Sequence, residues 1–257
     1  MKVLRKGAKG PGVKAWQIFL RGQGYHIIAD ADFGKKTVSA TKAFQKKKRL
    51  VADGVVGNAT YAVAMLLGFE VIKDDESDIY SANWPPKPDF KPIVGTAARQ
   101  RIFGKFNFKR MRVKGNPEAI RILDNWVEEN IVYVKIPQLI GVKGTYRRKT
   151  FAFHKLVAEP VKDLFQAWDD EGLSDLILSW GGSFVPRFIR GSNTSLSNHS
   201  FGSAFDINVP WNYLGARPAL VGKKGSVRKL VPIANELGFY WGGHFRRKDG
   251  MHFEFCG

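Results

Sequence analysis

Two short stretches toward the C-terminal end, Phe205 to Val209 and Met251 to Phe255, alternate between side chains of different character. A period of two sends neighbouring residues to opposite faces of a strand, so Asp206 and Asn208 fall on one face of the first stretch and His252 and Glu254 on one face of the second. His199 lies seven residues before Asp206, and Gly202, Ser203 and Ala204 keep the intervening turn small. If the two strands are neighbours, His199, Asp206 and His252 meet. Two imidazoles and one carboxylate are a ligand set that holds a catalytic Zn²⁺ with a fourth position left open. The rest of the chain has to fold in a way that permits this meeting.

Taken singly, each of these residues has an ordinary reading: a turn histidine, a surface carboxylate, a strand histidine. Together they form a pattern. Ser197, His199 and Asp206, followed by Asp249, His252, Phe253 and Glu254, with Trp241-Gly242-Gly243 between them, resemble the zinc D,D-peptidases of the VanX and VanY type and the peptidase domains of phage endolysins. The resemblance implies an α+β peptidase domain with a small antiparallel sheet and one Zn²⁺ held by His199, Asp206 and His252. It also implies that Asp249, three residues before the last ligand, is the catalytic acid or base. Glu254 is the alternative base and otherwise a partner of the ligand beside it. Relatives place an arginine shortly before the first zinc histidine to stabilise the oxyanion; Arg187 matches that position best and Arg190 is the runner-up. His244 stands where relatives commonly carry an acidic residue, and its role is open.

The first 70 residues carry an internal repeat. Gly10-Pro11-Gly12-Val13, Gly34-Lys35-Lys36-Thr37 and Gly57-Asn58-Ala59-Thr60 recur at spacings of 24 and 23 residues, each ahead of an apolar pattern at helical spacing. Val13, Trp16, Gln17 and Leu20 mark one helix face, Val38, Thr41, Phe44 and Gln45 the next, and Tyr61, Ala64 and Met65 the third. Thr37 and Thr60 are expected to cap helix starts through their hydroxyls. The expected unit is an all-α three-helix bundle over residues 1–70. Its wording resembles the small peptidoglycan-binding domain of wall hydrolases, which implies bacterial peptidoglycan as partner. This segment has 13 basic and 4 acidic residues. The run Lys46-Lys47-Lys48-Arg49 reads as attraction to an anionic envelope, with no specific nucleic-acid role.

Between the two units, residues 71–95 combine the charged run Lys73 to Asp78 with the proline-rich Pro85 to Pro92 and read as a semi-rigid linker. The peptidase domain then spans 96–257. Within it, apolar spacing predicts a helix over 117–130 (Ile120, Leu123, Val127), a helix over 153–172 (Leu156, Leu164, Phe165, Trp168), a buried strand over 176–180 and a helix over 227–237 capped by Gly238.

Composition narrows the partners. Lys plus Arg number 41 against 23 for Asp plus Glu, a formal net charge of +18, so the partner is expected to be anionic. Cys256 is the only cysteine, which rules out an intrachain disulfide. No apolar run reaches the length of a membrane span, and the first residues lack the apolar stretch of a signal peptide. The expectation is a monomer without stable membrane insertion, kept in the host cytoplasm before release onto the wall. The reading that joins these expectations is a modular endolysin-like peptidoglycan hydrolase that cuts stem peptides at L-alanyl-D-glutamate. A wall D-alanyl-D-alanine carboxypeptidase and a noncatalytic wall-binding protein are the alternatives.

Overall fold

The structure is a computed structural model that describes residues 3–67, 69 and 83–257. Among the described residues, three helices occur in the N-terminal part: α1 (Pro11–Gly22), α2 (Lys35–Lys47) and α3 (Asn58–Leu66). Their apolar faces close on Trp16, which meets Phe44, Tyr61 and Phe69 edge-on at centroid distances of 5.4–6.2 Å. The repeat has a physical core in two glutamines. Gln17 donates to Asp30 Oδ1, the Asp32 carbonyl and Thr37 Oγ1, and accepts from the Ala31 amide. Gln45 repeats the pattern with Asp53 Oδ1, the Val55 carbonyl, Thr60 Oγ1 and the Gly54 amide. Each buried amide is thus satisfied by the loop that enters the next helix. This corrects the expected role of Thr37 and Thr60: their hydroxyls serve the glutamines and loop carbonyls, and the residues before the two helices, Gly34 and Gly57, make no side-chain cap.

The C-terminal part mixes short helices with three antiparallel sheets. After α4 (Thr96–Phe103) come β1 (Phe108–Arg110) and β2 (Ile120–Ile122), which pair with each other. A short helix α5 (Trp126–Asn130) leads into β3 (Ile131–Lys135), which pairs with β4 (Thr150–His154). Helix α6 (Ala158–Asp170) precedes β5 (Trp180–Gly182) and β6 (Ala204–Ile207); α7 (Val231–Glu236) precedes β7 (Phe239–Trp241), and β8 (His252–Phe255) closes the chain. The last four strands form one sheet in the order β5-β6-β8-β7, antiparallel throughout.

Two of the expected helices are therefore partly strand. Over 117–130, Ile120 pairs across to Arg110 and Leu123 is exposed, so the apolar spacing there arises from a strand followed by a separate helical turn around buried Trp126. Over 153–172, alternating Phe151 and Phe153 belong to β4, and the helix begins only at Ala158. Pro160 lies in its first turn, where a missing N–H costs nothing. The strand expected over 176–180 is a 3₁₀ turn (Ser174–Leu176) and an extended segment, with a bridge from Ser179 to Lys143 and sheet pairing from Trp180. The helix near 227–237 is a 3₁₀ turn (Arg228–Leu230) running into α7, and Gly238 takes the left-handed conformation (φ 77°) expected of it.

The sheet's two faces have different work. On one, Phe205 stacks on Phe253 at 5.5 Å and on Trp180 at 5.8 Å, and α6 covers them with Phe165 and Trp168. The alternation of β6 and β8 then forces Asp206, His252 and Glu254 to the other face. Because Phe205 is fully buried at the centre of this packing, Phe205→Ala is expected to cost about 3–5 kcal/mol by leaving a cavity. Urea denaturation would measure it; a loss under about 1 kcal/mol would mean that the packing beneath the site does not support it.

Candidate metal centre

Asp206 and His252 are direct cross-strand partners in β6 and β8, the placement that brings two side chains closest on one face of a sheet. His199 arrives from a 3₁₀ turn (Asn198–Phe201) in which its own amide donates to Ser197 Oγ, and Gly202 turns the chain into β6 in a left-handed conformation. The three meet edge to edge: His199 Nε2 is 3.2 Å from Asp206 Oδ1 and 3.2 Å from His252 Nδ1, and His252 Nδ1 is 3.1 Å from Asp206 Oδ1.

The donor chemistry tests whether this triangle fits a cation. His199 Nδ1 lies 2.7 Å from the Ser183 carbonyl, and His252 Nε2 lies 3.0 Å from Glu254 Oε2. Both partners can only accept, so both outer nitrogens carry the proton. When both imidazoles are neutral, the inner nitrogens and Asp206 Oδ1 present three lone pairs to one another, an arrangement that a shared cation resolves; without one, a proton on His252 serves. Edges of 3.1–3.2 Å suit a tetrahedral face with bonds of about 2.0 Å, the Zn²⁺ range. His199, Asp206 and His252 form the group of potential ligands found among the described residues.

Electrostatics agree that the cluster wants positive charge. Burial pushes the His199 imidazole down. Burial acts the same way on His252, but hydrogen bonds from Asp206 and Glu254 overcome it and raise that imidazole to about 10. Burial also opposes the charge on Asp206, yet the two histidines hold its carboxyl well below the usual range.

Asp249 reaches the same cleft from the loop before β8. Its amide donates to the Gly242 carbonyl at 2.9 Å, and its own carbonyl accepts from the His252 amide at 3.0 Å. Gly242 has to be glycine, since a Cβ there would lie 2.6 Å from the Asp249 carbonyl oxygen. The carboxyl itself is pushed up to about 7, chiefly by burial and also by the Asp206 charge, against the pull of His252, Arg187 and Arg247. Its Oδ1 is buried without a hydrogen-bond partner. A cation at the three ligands would draw that pKa back down.

The two arginine candidates separate. Arg190 is engaged in an ion pair with Glu118 at 3.1 Å. Arg187 lines the cleft, its guanidinium donates to the Phe188 carbonyl at 3.2 Å, and it feels the charges of Asp206 and Asp249; burial first, then Arg190, lowers it to about 10. His244 is elsewhere: its Nε2 is 2.9 Å from the Pro85 carbonyl and its ring packs on Trp84 and Trp241. It fastens residues 84–85 to the peptidase part. Asn208, expected beside Asp206, instead leaves the strand with φ 54° and brackets the amides of Leu178 and Ser179.

Three contributors were invisible in the sequence. Asn198 donates to Glu254 and accepts from Arg99 Nε, so a buried chain of Arg99, Asn198 and Glu254 stands behind His252. The Ser183 carbonyl orients His199. Backbone groups and residues 99 positions apart leave no short motif to read; only Asn198, adjacent to His199, offered a hint.

Comparison with known proteins follows the same division of the chain. Residues 190–255 match the family described as D-alanyl-D-alanine carboxypeptidase, and residues 9–63 match the family described as putative peptidoglycan binding domain. The first match contains His199, Asp206, Asp249 and His252 and begins just after Arg187. The N-acetylmuramoyl-L-alanine amidase CwlL of Bacillus licheniformis is 33% identical over 105 residues, which is 38% of this chain and 29% of that protein. The chain therefore spans under a third of the length of that curated relative. A crystal structure of a peptidoglycan-binding protein from Clostridioides difficile, in complex with glutamine hydroxamate, is 49% identical over 24% of this chain and 40% of its own, with a TM-score of 0.24.

Proposed function

We propose that this chain, which carries a peptidoglycan-binding domain over residues 9–63 and a peptidase domain of the D-alanyl-D-alanine carboxypeptidase family over residues 190–255, hydrolyses stem peptides of bacterial peptidoglycan with Zn²⁺ as cofactor. The observation that carries the reading is the meeting of His199, Asp206 and His252 within 3.2 Å of one another in a cleft that also holds Asp249. Bound by those three residues, Zn²⁺ supplies a Lewis acid that polarises the scissile carbonyl and acidifies water. The protein supplies the rest. Asp249 accepts the proton of the attacking water and returns it to the departing amide nitrogen, a shuttle suited to a carboxyl whose burial lifts its pKa. Arg187 offers its guanidinium to the oxygen on which negative charge develops. Glu254, held by Asn198 and Arg99, keeps His252 in the tautomer that directs Nδ1 inward.

A wall-binding domain suits an enzyme that acts on the insoluble polymer, because tethering raises the local concentration of cleavable bonds. The bond we assign is L-alanyl-D-glutamate. Mass spectrometry of fragments released from purified peptidoglycan is expected to find L-alanine still on the muramic acid and a new D-glutamate amino terminus. Release of D-alanine with stems still attached would assign D-alanyl-D-alanine carboxypeptidase activity instead. No hydrolysis by zinc-loaded protein would leave a noncatalytic wall-binding protein.

A further inference from the structure

The cleft beside the metal ligands, about 470 Å³ in volume, is not built by the peptidase part alone. Ile18, Arg21 and Gly22 of α1 and Ala29 beyond it line it together with Arg247, Asp249 and His252. The seam behind that wall is tightly built. Tyr213 joins the core of the N-terminal helices and meets Phe19 edge-on at 5.9 Å. Neither Gly22 nor Gly215 has room for a side chain: a Cβ would fall 2.8 Å from the Tyr213 ring and 2.9 Å from Ile18, respectively.

At the rim, Glu118 is clasped by both parts at once. It accepts from Arg21 of α1, from Arg190 at 3.1 Å and from the Gly191 amide at 3.1 Å. Burial opposes its charge, yet the Gly191 amide and the two arginines hold its carboxyl below the usual range. The clasp neutralises part of two guanidinium charges; a third, that of Arg247, feels the charges of Asp249 and Glu118 from outside ion-pair distance. Arg247 and Arg21 both lie beside Gly191, and the Arg247 guanidinium donates to the Arg190 carbonyl at 3.1 Å. Among the described residues it forms no ion pair within 4 Å. A half-buried arginine that lines a peptide cleft and has no carboxylate in direct ion-pair contact among the described residues is suited to receive one from a ligand.

We infer that the substrate cleft is a composite of both parts, in which Arg247 binds a free carboxylate of the stem peptide and α1 with Ala29 forms the facing wall. The inference rests on the peptidase reading and deepens it: the N-terminal domain shapes the substrate site as well as tethering the enzyme to the wall. A domain that only tethers would affect hydrolysis of the insoluble polymer and leave a small soluble peptide untouched.

The test uses full-length, zinc-loaded protein and two soluble synthetic stem peptides without glycan, one with free carboxylates and one with carboxamides in their place. Arg247→Gln is expected to raise KM for the carboxylate peptide by about 10- to 100-fold, with kcat within about threefold of the parent. Arg247→Lys should recover part of the loss. The carboxamide peptide should bind weakly to both parent and Arg247→Gln. Ala29→Glu, at a partly exposed loop position of the N-terminal domain, should raise KM for the carboxylate peptide at an unchanged thermal midpoint. Parental KM in both Arg247→Gln and Ala29→Glu, or faster cleavage by Ala29→Glu, would overturn the composite site while leaving the peptidase reading intact. If the parent cleaves neither peptide, the peptidase reading fails. Calorimetric titration of the same peptides into the same variants then decides the cleft: weaker binding in both variants supports it, and unchanged binding rejects it.

Discussion

Purified protein is expected to hold about one Zn²⁺ per chain, and His199→Ala to lose both the ion and detectable hydrolysis of peptidoglycan. The expectation follows from the lone pairs. Ser183 and Glu254 take the outer N–H groups of His199 and His252, so the inner edge of the triangle consists of acceptors 3.1–3.2 Å apart. Chelation should abolish activity and added zinc restore it. Because ligand affinity depends on the groups behind the ligands, Glu254→Gln should weaken metal binding or activity by about 10- to 100-fold without removing a ligand. Metal analysis and activity on the same samples would settle the matter. Full turnover by protein stripped of metal would sink the proposal outright.

Asp249→Asn should separate holding the metal from doing chemistry. The substitution preserves shape and removes the proton acceptor, and Asp249 is not one of the three residues in the ligand triangle. Zinc content should therefore remain near the parent's while kcat falls by about 10²- to 10⁴-fold. The alternative base, Glu254, is already committed to Asn198 and to the outer nitrogen of His252. Although it also lines the cleft, both of those contacts hold it to the outer side of His252. Should Glu254→Gln retain zinc and lose turnover while Asp249→Asn stays active, the two roles would have to be exchanged.

The difference between these two carboxylates shows where sequence reasoning ended. Period-two alternation around Asp206 and His252 was enough to place both on one sheet face, because side-chain direction in a strand follows from backbone geometry alone. The spacing from His199 to Asp206 was short enough that only a turn could join them. The N-terminal helices were legible for the same local reason, since a glycine turn followed by apolar residues at helical spacing leaves few options. Where apolar residues satisfied both periods, at Ile120 and at Phe153, the local signal was ambiguous, and antiparallel pairing with distant β1 and β3 decided for strand.

The amino-acid sequence by itself offered the candidate ligand triad and the order of the two parts, which depend on residues close together in the chain or on a face fixed by its period, while the candidate proton shuttle Asp249 came from the family resemblance. Tertiary structure alone decided which arginine is free, what His244 does, and that Arg99 and Asn198 stand behind Glu254. It alone set α1 against the cleft through Arg21 and Glu118, which are 97 positions apart. The physical reason is that an ion pair or a buried hydrogen bond depends on distance in space and leaves no periodic trace in the chain, so charges that look alike in sequence acquire different roles only once packing has assigned their partners.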